Sequence, residues 1–213
     1  MNITEQKKLE EILSNIGNQE INLAIIGCGT CATTCKTGGV EQVNHLKTFL
    51  EQHSKKVVFT AVVPVECDER QAKKELKDIS KGNIKVDAVL SMGCGNGNAV
   101  IADLLKVPVY PTNNSMFAGS MKRLGVFEEK CSKCGECITG RTAGICPITR
   151  CPKSLLNGPC GGSYAGKCEV HPQRPCAWIQ IYEKLKDQGK LDYMYQYHKP
   201  KSFIKNNYKG FLH

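Results

Sequence analysis

No stretch of this chain is long and apolar enough to span a bilayer, and the opening Met1-Asn-Ile-Thr-Glu-Gln-Lys-Lys is too polar for a secretory signal. With neither signal read, membrane insertion and export are not expected, and the expected location is cytoplasmic. No paired carboxylates, serine elbow or Cys-His dyad stands out, which removes the common hydrolytic sites. Aromatic residues make up only 7%, with Trp178 the single tryptophan, and the hydrophobic content of 41% is slightly below a globular average. Histidine is sparse as well. His171 sits among potential metal ligands, whereas His45, His53, His198 and His213 have no such context and are expected in solvent.

What the chain has in excess is cysteine, thirteen in 213 residues. In a cytosolic protein such enrichment points to metal binding rather than disulfides, and an odd count argues against complete pairing. Metal also changes the meaning of the formal charge of +9. An oxidised four-thiolate cubane, or a zinc held by four thiolates, carries about −2, so two or three such sites offset much of the basic excess. With no recognition helix of interleaved arginines either, a nucleic-acid partner is not expected.

Eight of the thirteen cysteines fall between Cys131 and Cys176. The run Cys131-x2-Cys134-x2-Cys137 has the spacing by which a ferredoxin loop wraps three thiolates around one iron–sulfur cube, the fourth coming from a distant Cys-Pro. Cys146-Pro147 and Cys151-Pro152 both offer that step, and proline lets the chain turn away without an orphaned amide. Cys146, Cys151 or Cys176 is the candidate fourth ligand. The remainder, among Cys160 and Cys168 with His171 as a substitute, would form a second cluster or a zinc site. Spaced CxxC pairs also fit zinc, which stays open as the alternative metal.

Ahead of this region, apolar runs alternate with amphipathic stretches. Residues 4–16 read as a helix with Leu9, Ile12, Leu13 and Ile16 on one stripe, Thr4 as its N-cap and Gly17 as its stop. Ile21–Ile26, Lys56–Pro64, Val86–Ser91 and Val107–Tyr110 read as buried strands, each of the first three followed by a helix. Val40, Val43, Leu46, Phe49 and Leu50 form the stripe of the first of these helices, and Asp68 caps the second. The fold class expected is α/β: a small Rossmann-like, doubly wound parallel sheet over residues 1–115. Periodicity lapses from Asn113 to Glu129, so residues 116–213 are expected as a loop-dominated, cysteine-rich metal domain. It is closed by a helix from about Pro175 to Gln188 and a basic, aromatic tail from Lys190 to His213, which reads as a dock for an acidic partner or as a solvated end.

The other five cysteines occupy related places. Cys28, Cys31 and Cys35 follow the first parallel strand, Cys67 the second and Cys94 the third. The carboxyl ends of parallel strands share one edge, where ligands bind, so a 4Fe–4S cluster is expected there, held by four of these five. Gly27-x-Gly29-x-x-Ala32 formally matches a dinucleotide loop. The acidic residue that follows, Glu66, lies nearly forty positions on, where the fingerprint expects about twenty. Gly27 and Gly29, with Gly93 and Gly95 around Cys94, are read instead as allowing close backbone approach to a bound cluster.

The segment Gly144-Ile-Cys146-Pro-Ile-Thr-Arg-Cys151-Pro through Asn157-Gly-Pro-Cys160-Gly-Gly resembles the methylenetetrahydrofolate reductase C-terminal family, as does the N-terminal Gly27-Cys-Gly-Thr-Cys-x3-Cys-x-Thr-Gly-Gly. Stand-alone chains of about this size are similar to the small metal-containing subunit that accompanies a flavin-bearing barrel subunit in acetogenic bacteria. The resemblance implies a role in reducing methylenetetrahydrofolate in the acetyl-CoA pathway, with folate and flavin mainly on the partner. It implies two to three 4Fe–4S clusters, with zinc at some sites, and ferredoxin or a similar protein as electron donor. A zinc-stapled assembly module without redox role is the alternative.

Overall fold

The computed structural model describes residues 1–17 and 21–202. Its chain divides into two compact units, Met1–Phe117 and a second beginning at Ala118.

The first unit is built on strand β2 (Asn22–Cys28), in which every residue after Asn22 is buried. Side chains alternate across a strand, so its two faces feed two separate cores. Leu23 and Ile25 pack with Leu90 under helices α1 (Leu9–Ile16) and α3 (Val40–Gln52). Ala24 and Ile26 pack with Val63 and Val89 on the opposite face, under α4 (Glu69–Glu75), α5 (Lys77–Ser80) and α6 (Gly95–Leu104). Full burial of each such aliphatic side chain contributes roughly 1.5–3 kcal/mol, which is why the strand reads as an unbroken apolar run. The sheet has order β3-β2-β4-β5, with β3 at Lys56–Val63, β4 at Ala88–Ser91 and β5 at Val109–Pro111, and all its pairings are parallel. The chain therefore winds one way from β2 to β3 and then crosses back to β4. Between β2 and β4 lies the switch point, where open α/β sheets leave a crevice at the carboxyl edge.

Two local expectations are corrected. The chain does not begin in a helix at Thr4: Asn2–Gln6 is strand β1, and helix α1 starts at Leu9. β-Branched Ile3 and Thr4 are both buried, and Thr4 Oγ1 bonds Thr37 Oγ1 at 2.6 Å rather than capping a helix. Gly17 does close α1, with φ 75° and its N–H donated to Leu13 O. Residues 113–129 are not irregular. Strands β6 (Asn113–Arg123) and β7 (Val126–Cys131) form an antiparallel hairpin that turns at Gly125, φ 74°. Most of β6 is exposed or half-exposed, so no apolar alternation marks it. Asn113 is the exception. Its buried amide donates to Met92 O at 2.6 Å and to Thr37 O and Gly93 O at 3.2 Å, tying the start of β6 to the sheet edge.

The second unit has a small core of Cys176, Trp178, Ile181 and Leu185, three of them on helix α8 (Ala177–Asp187). Trp178 Nε1 donates to Leu155 O at 3.1 Å. Between β7 and α8 the described helical pieces are a 3-10 turn at Thr139–Arg141 and helix α7 (Pro147–Arg150). Lys133, Ala143, Ser154 and Ala165 stand at positive φ, an unusual concentration for residues with a Cβ. Such a loop region lacks the buried apolar surface to hold itself and calls for cross-links. Part of the segment beyond Lys190 is not a free tail, because Leu191, Tyr193 and Met194 pack on the α8 core and His198 exchanges two hydrogen bonds with Asn157. The rest of the expected tail, residues 203–213, lies outside the described residues.

Candidate metal centres

At the carboxyl edge of the sheet, Cys28 ends β2 and Cys31 opens the short helix α2 (Cys31–Thr34). Cys67 lies in the turn after β3, and Cys94 is the N-cap residue of α6. Cys28 and Cys94 are buried, while Cys67 is exposed. Partial desolvation, then the like charges of Cys94, Cys28 and Cys31, push the Cys67 thiol above its ordinary pKa. These four sulfurs thus share one electrostatic neighbourhood, delivered by three separate strand ends. Cys35 is not among the thiols that raise Cys67; its sulfur lies 4.0 Å from the backbone O of Asn2, the residue whose side chain reaches Cys94. Polar hydrogens already face this group, with Asn2 Nδ2 donating to Cys94 Sγ at 3.3 Å and Thr30 Oγ1 at 3.3 Å from Cys28 Sγ.

Beneath the thiols lies a group that the sequence did not mark as buried. Glu66 is fully buried; its Oε1 accepts from Ser91 Oγ at 2.6 Å and its Oε2 has no partner. Burial raises its pKa to about 7 against the pull of the Ser91 hydroxyl. Gly93 and Gly97 make room for this carboxylate, since a Cβ at either position would overlap Oε2. Protein atoms likewise fill the space before Gly27, which faces Gly38 O and Val43, and before Gly29, which faces Pro64 O at 3.0 Å. Gly95 is open, with Ser115 Oγ at 3.6 Å from where its Cβ would stand and at 2.8 Å from its N–H. The paired glycines were the available signal for Glu66, and their spacing alone did not name it.

In the second unit the ferredoxin-like run forms an exposed loop after β7. Lys133 N–H donates to Cys131 Sγ at 3.3 Å, and Cys137 Sγ lies 3.1 Å from Thr139 Oγ1. Thr139, through its hydroxyl and its backbone, holds the Cys137 thiol below its ordinary pKa. Burial pushes Cys134 up, but the Lys201 ammonium and Glu136 bring it below its ordinary value overall. Elsewhere Cys151, Cys160, Cys168 and Cys176 line one small cavity with Pro152, Pro159 and Trp178. Cys160 Sγ donates to Glu169 Oε1 at 3.3 Å, and Glu169 is ion-paired with Lys153. His171 is not among the residues lining this cavity, so the thiols alone supply its soft donors. Cys146 stands at the N-cap of α7.

Among the described residues, no three Cys, His, Asp or Glu side chains close to the spacing that grips a single metal ion. No described helix is long and apolar enough to cross a membrane. No curated protein and no solved structure matches the chain. Residues 110–204 do match a family model, described as methylene-tetrahydrofolate reductase C terminal. That segment holds the Cys131–Cys137 run, both Cys-Pro steps and the cysteine-lined cavity. That segment, a little under half of the chain, is similar to the methylenetetrahydrofolate reductase C-terminal family, and the similarity associates it with that reductase.

Proposed function

We propose that this chain is the iron–sulfur electron-transfer and assembly subunit of a methylenetetrahydrofolate reductase complex, passing electrons from ferredoxin or a similar donor to the flavin of a partner catalytic subunit. The observation that carries the reading is the gathering of Cys28, Cys31, Cys67 and Cys94 at the switch point of a parallel sheet. Four thiols from three connections suit a 4Fe–4S cluster, whose iron corners hold their thiolates well apart, better than one ion that draws ligands into contact. The residues around them also favour an anionic group. Cys94 leads into the N-terminus of the ten-residue α6, where unpaired N–H groups and the helix dipole stabilise negative charge. Bound there, a cluster supplies a one-electron store. The chain's own residues hold it, donate hydrogen bonds to its sulfurs and shield its inner face with the packed Gly27, Gly29 and Gly93 backbone.

Anaerobic purification followed by iron and acid-labile sulfide analysis tests this. At least four irons per chain are expected, about the content of one cubane, together with visible absorbance that dithionite bleaches; a lower iron content overturns the reading. The small core of the second unit favours a second reading, a zinc-stapled module that stabilises its partner. Zinc at about two or three equivalents, without bleachable absorbance, would select it.

A further inference from the structure

We propose that Cys151, Cys160, Cys168 and Cys176 form a four-thiolate metal site of their own, leaving Cys146 as the fourth ligand of the Cys131, Cys134, Cys137 loop. The inference rests on the reading that these thiols hold metal, and it assigns which thiols act together.

Each of the four reaches the cavity on a separately fixed piece of backbone. Cys151 closes α7, its N–H donated to Pro147 O at 3.0 Å. Cys160 stands between Gly158 and Gly161, with φ 109° and 82°, so the chain doubles sharply on either side of it. Cys168 and Cys176 are brought together by the antiparallel bridge between Lys167 and Pro175, with Cys168 N–H bonded to Arg174 O at 3.0 Å and Cys176 N–H to Gly166 O at 2.8 Å. Twenty-six residues of loop are thus folded around a void whose soft donors are four sulfurs. A void this small in a core-poor unit is costly when empty and becomes the unit's main cross-link when filled by metal.

The shared cavity also bears on a choice that spacing leaves open. Cys151 and Cys176 were candidates to complete the Cys131 loop, but both line the cavity with Cys160 and Cys168. Cys146 does not line it. It opens α7, which packs on β7, the strand that ends at Cys131, and Arg150 of α7 is ion-paired with Glu128 of β7. Loading of the cavity displaces the thiol protons to solvent, including the one Cys160 gives to Glu169. Lys153, now paired with Glu169, stands beside the new negative charge.

The test uses the full metal-loaded chain and stepwise metal removal by a chelator, with iodoacetamide labelling read by peptide mass spectrometry. Cys151, Cys160, Cys168 and Cys176 should become reactive as one set, at a different chelator dose from Cys131, Cys134, Cys137 and Cys146. Release of Cys151 or Cys176 with the Cys131 set overturns the assignment, as does immediate labelling of all thirteen. The variants C168S and C137S add a second measure, since each should remove the metal of its own set only. If the sets hold but each contains a single zinc, the assignment stands and the electron-transfer reading falls.

Discussion

Lys201 Nζ donates to Cys134 Sγ at 2.9 Å and also to Glu136 O. The ammonium lies sixty-seven positions along the chain from the sulfur it contacts, so the fold rather than the loop places it there. A cation against a cluster thiolate favours the reduced, more negative state. If the Cys131 loop holds a cluster as proposed, replacing Lys201 with Met should lower its midpoint potential by about 60 mV, a tenfold change in a one-electron equilibrium. Lys201→Arg should stay near the native value. Potentiometric titration followed by electron paramagnetic resonance reads the shift, and unchanged potentials in K201M would remove Lys201 from any tuning role.

Glu66 predicts a pH dependence of stability with a definite sign. Its folded pKa is about 7, against 4.5 for an unperturbed glutamate. Below 4.5 the group is protonated whether folded or not, and contributes nothing. Between 4.5 and 7 the unfolded chain ionises while the folded one does not, so stability falls as pH rises. The loss levels off above 7 at roughly 3 kcal/mol. Urea midpoints at pH 5 and pH 8 should therefore converge in Glu66→Gln. Equal pH slopes for the two proteins would show that Glu66 is ionised in the fold.

Gly93 and Gly95 flank the same cysteine but differ in what they face. Ala at Gly93 must push against the buried Glu66 carboxylate and should cost about 1–3 kcal/mol. At Gly95 the same change meets only Ser115 Oγ at 3.6 Å and should be close to neutral. Adding Glu66→Ala to G93A should recover most of the loss, because the two changes share one space. Additive effects in thermal melts would mean the strain lies elsewhere.

The parallel strands were legible because burial on both faces leaves them uniformly apolar, and their order of appearance already implied a shared carboxyl edge for the five cysteines. β1 was not legible: the clear stripe at Leu9, Ile12, Leu13 and Ile16 invited extension back to Thr4, which a five-residue strand gave no pattern to oppose. The β6–β7 hairpin was hidden for the opposite reason, since an exposed strand has no inward face to repeat. Spacing alone nominated the Cys131 loop, but the cavity that Cys151 and Cys176 share depends on turns at Gly158, Gly161 and Gly166, which carry no periodicity. The burial of Glu66 depends on two glycines from another strand end.

Cys35 and Cys67 give the sharpest contrast at the sheet edge. Cys35 sits at the end of α2, half-buried, with its sulfur 4.0 Å from Asn2 O, and it is not among the thiols that raise Cys67. Cys67 is exposed, so as a packing residue it would matter little, whereas as a ligand it would matter greatly. Serine at Cys35 should leave iron content and Tm unchanged. Serine at Cys67 should lower iron by about four per chain if it closes a cubane. It should also lower Tm, because a cluster held there would join the ends of β2, β3 and β4. Truncation near Asn114 would cut β6 and remove Ser115, whose hydroxyl accepts from Gly95 N–H, so the comparison belongs in the full chain. Parallel iron assays and melts of C35S and C67S decide it: equal iron in the two variants would mean that the edge thiols are packing residues.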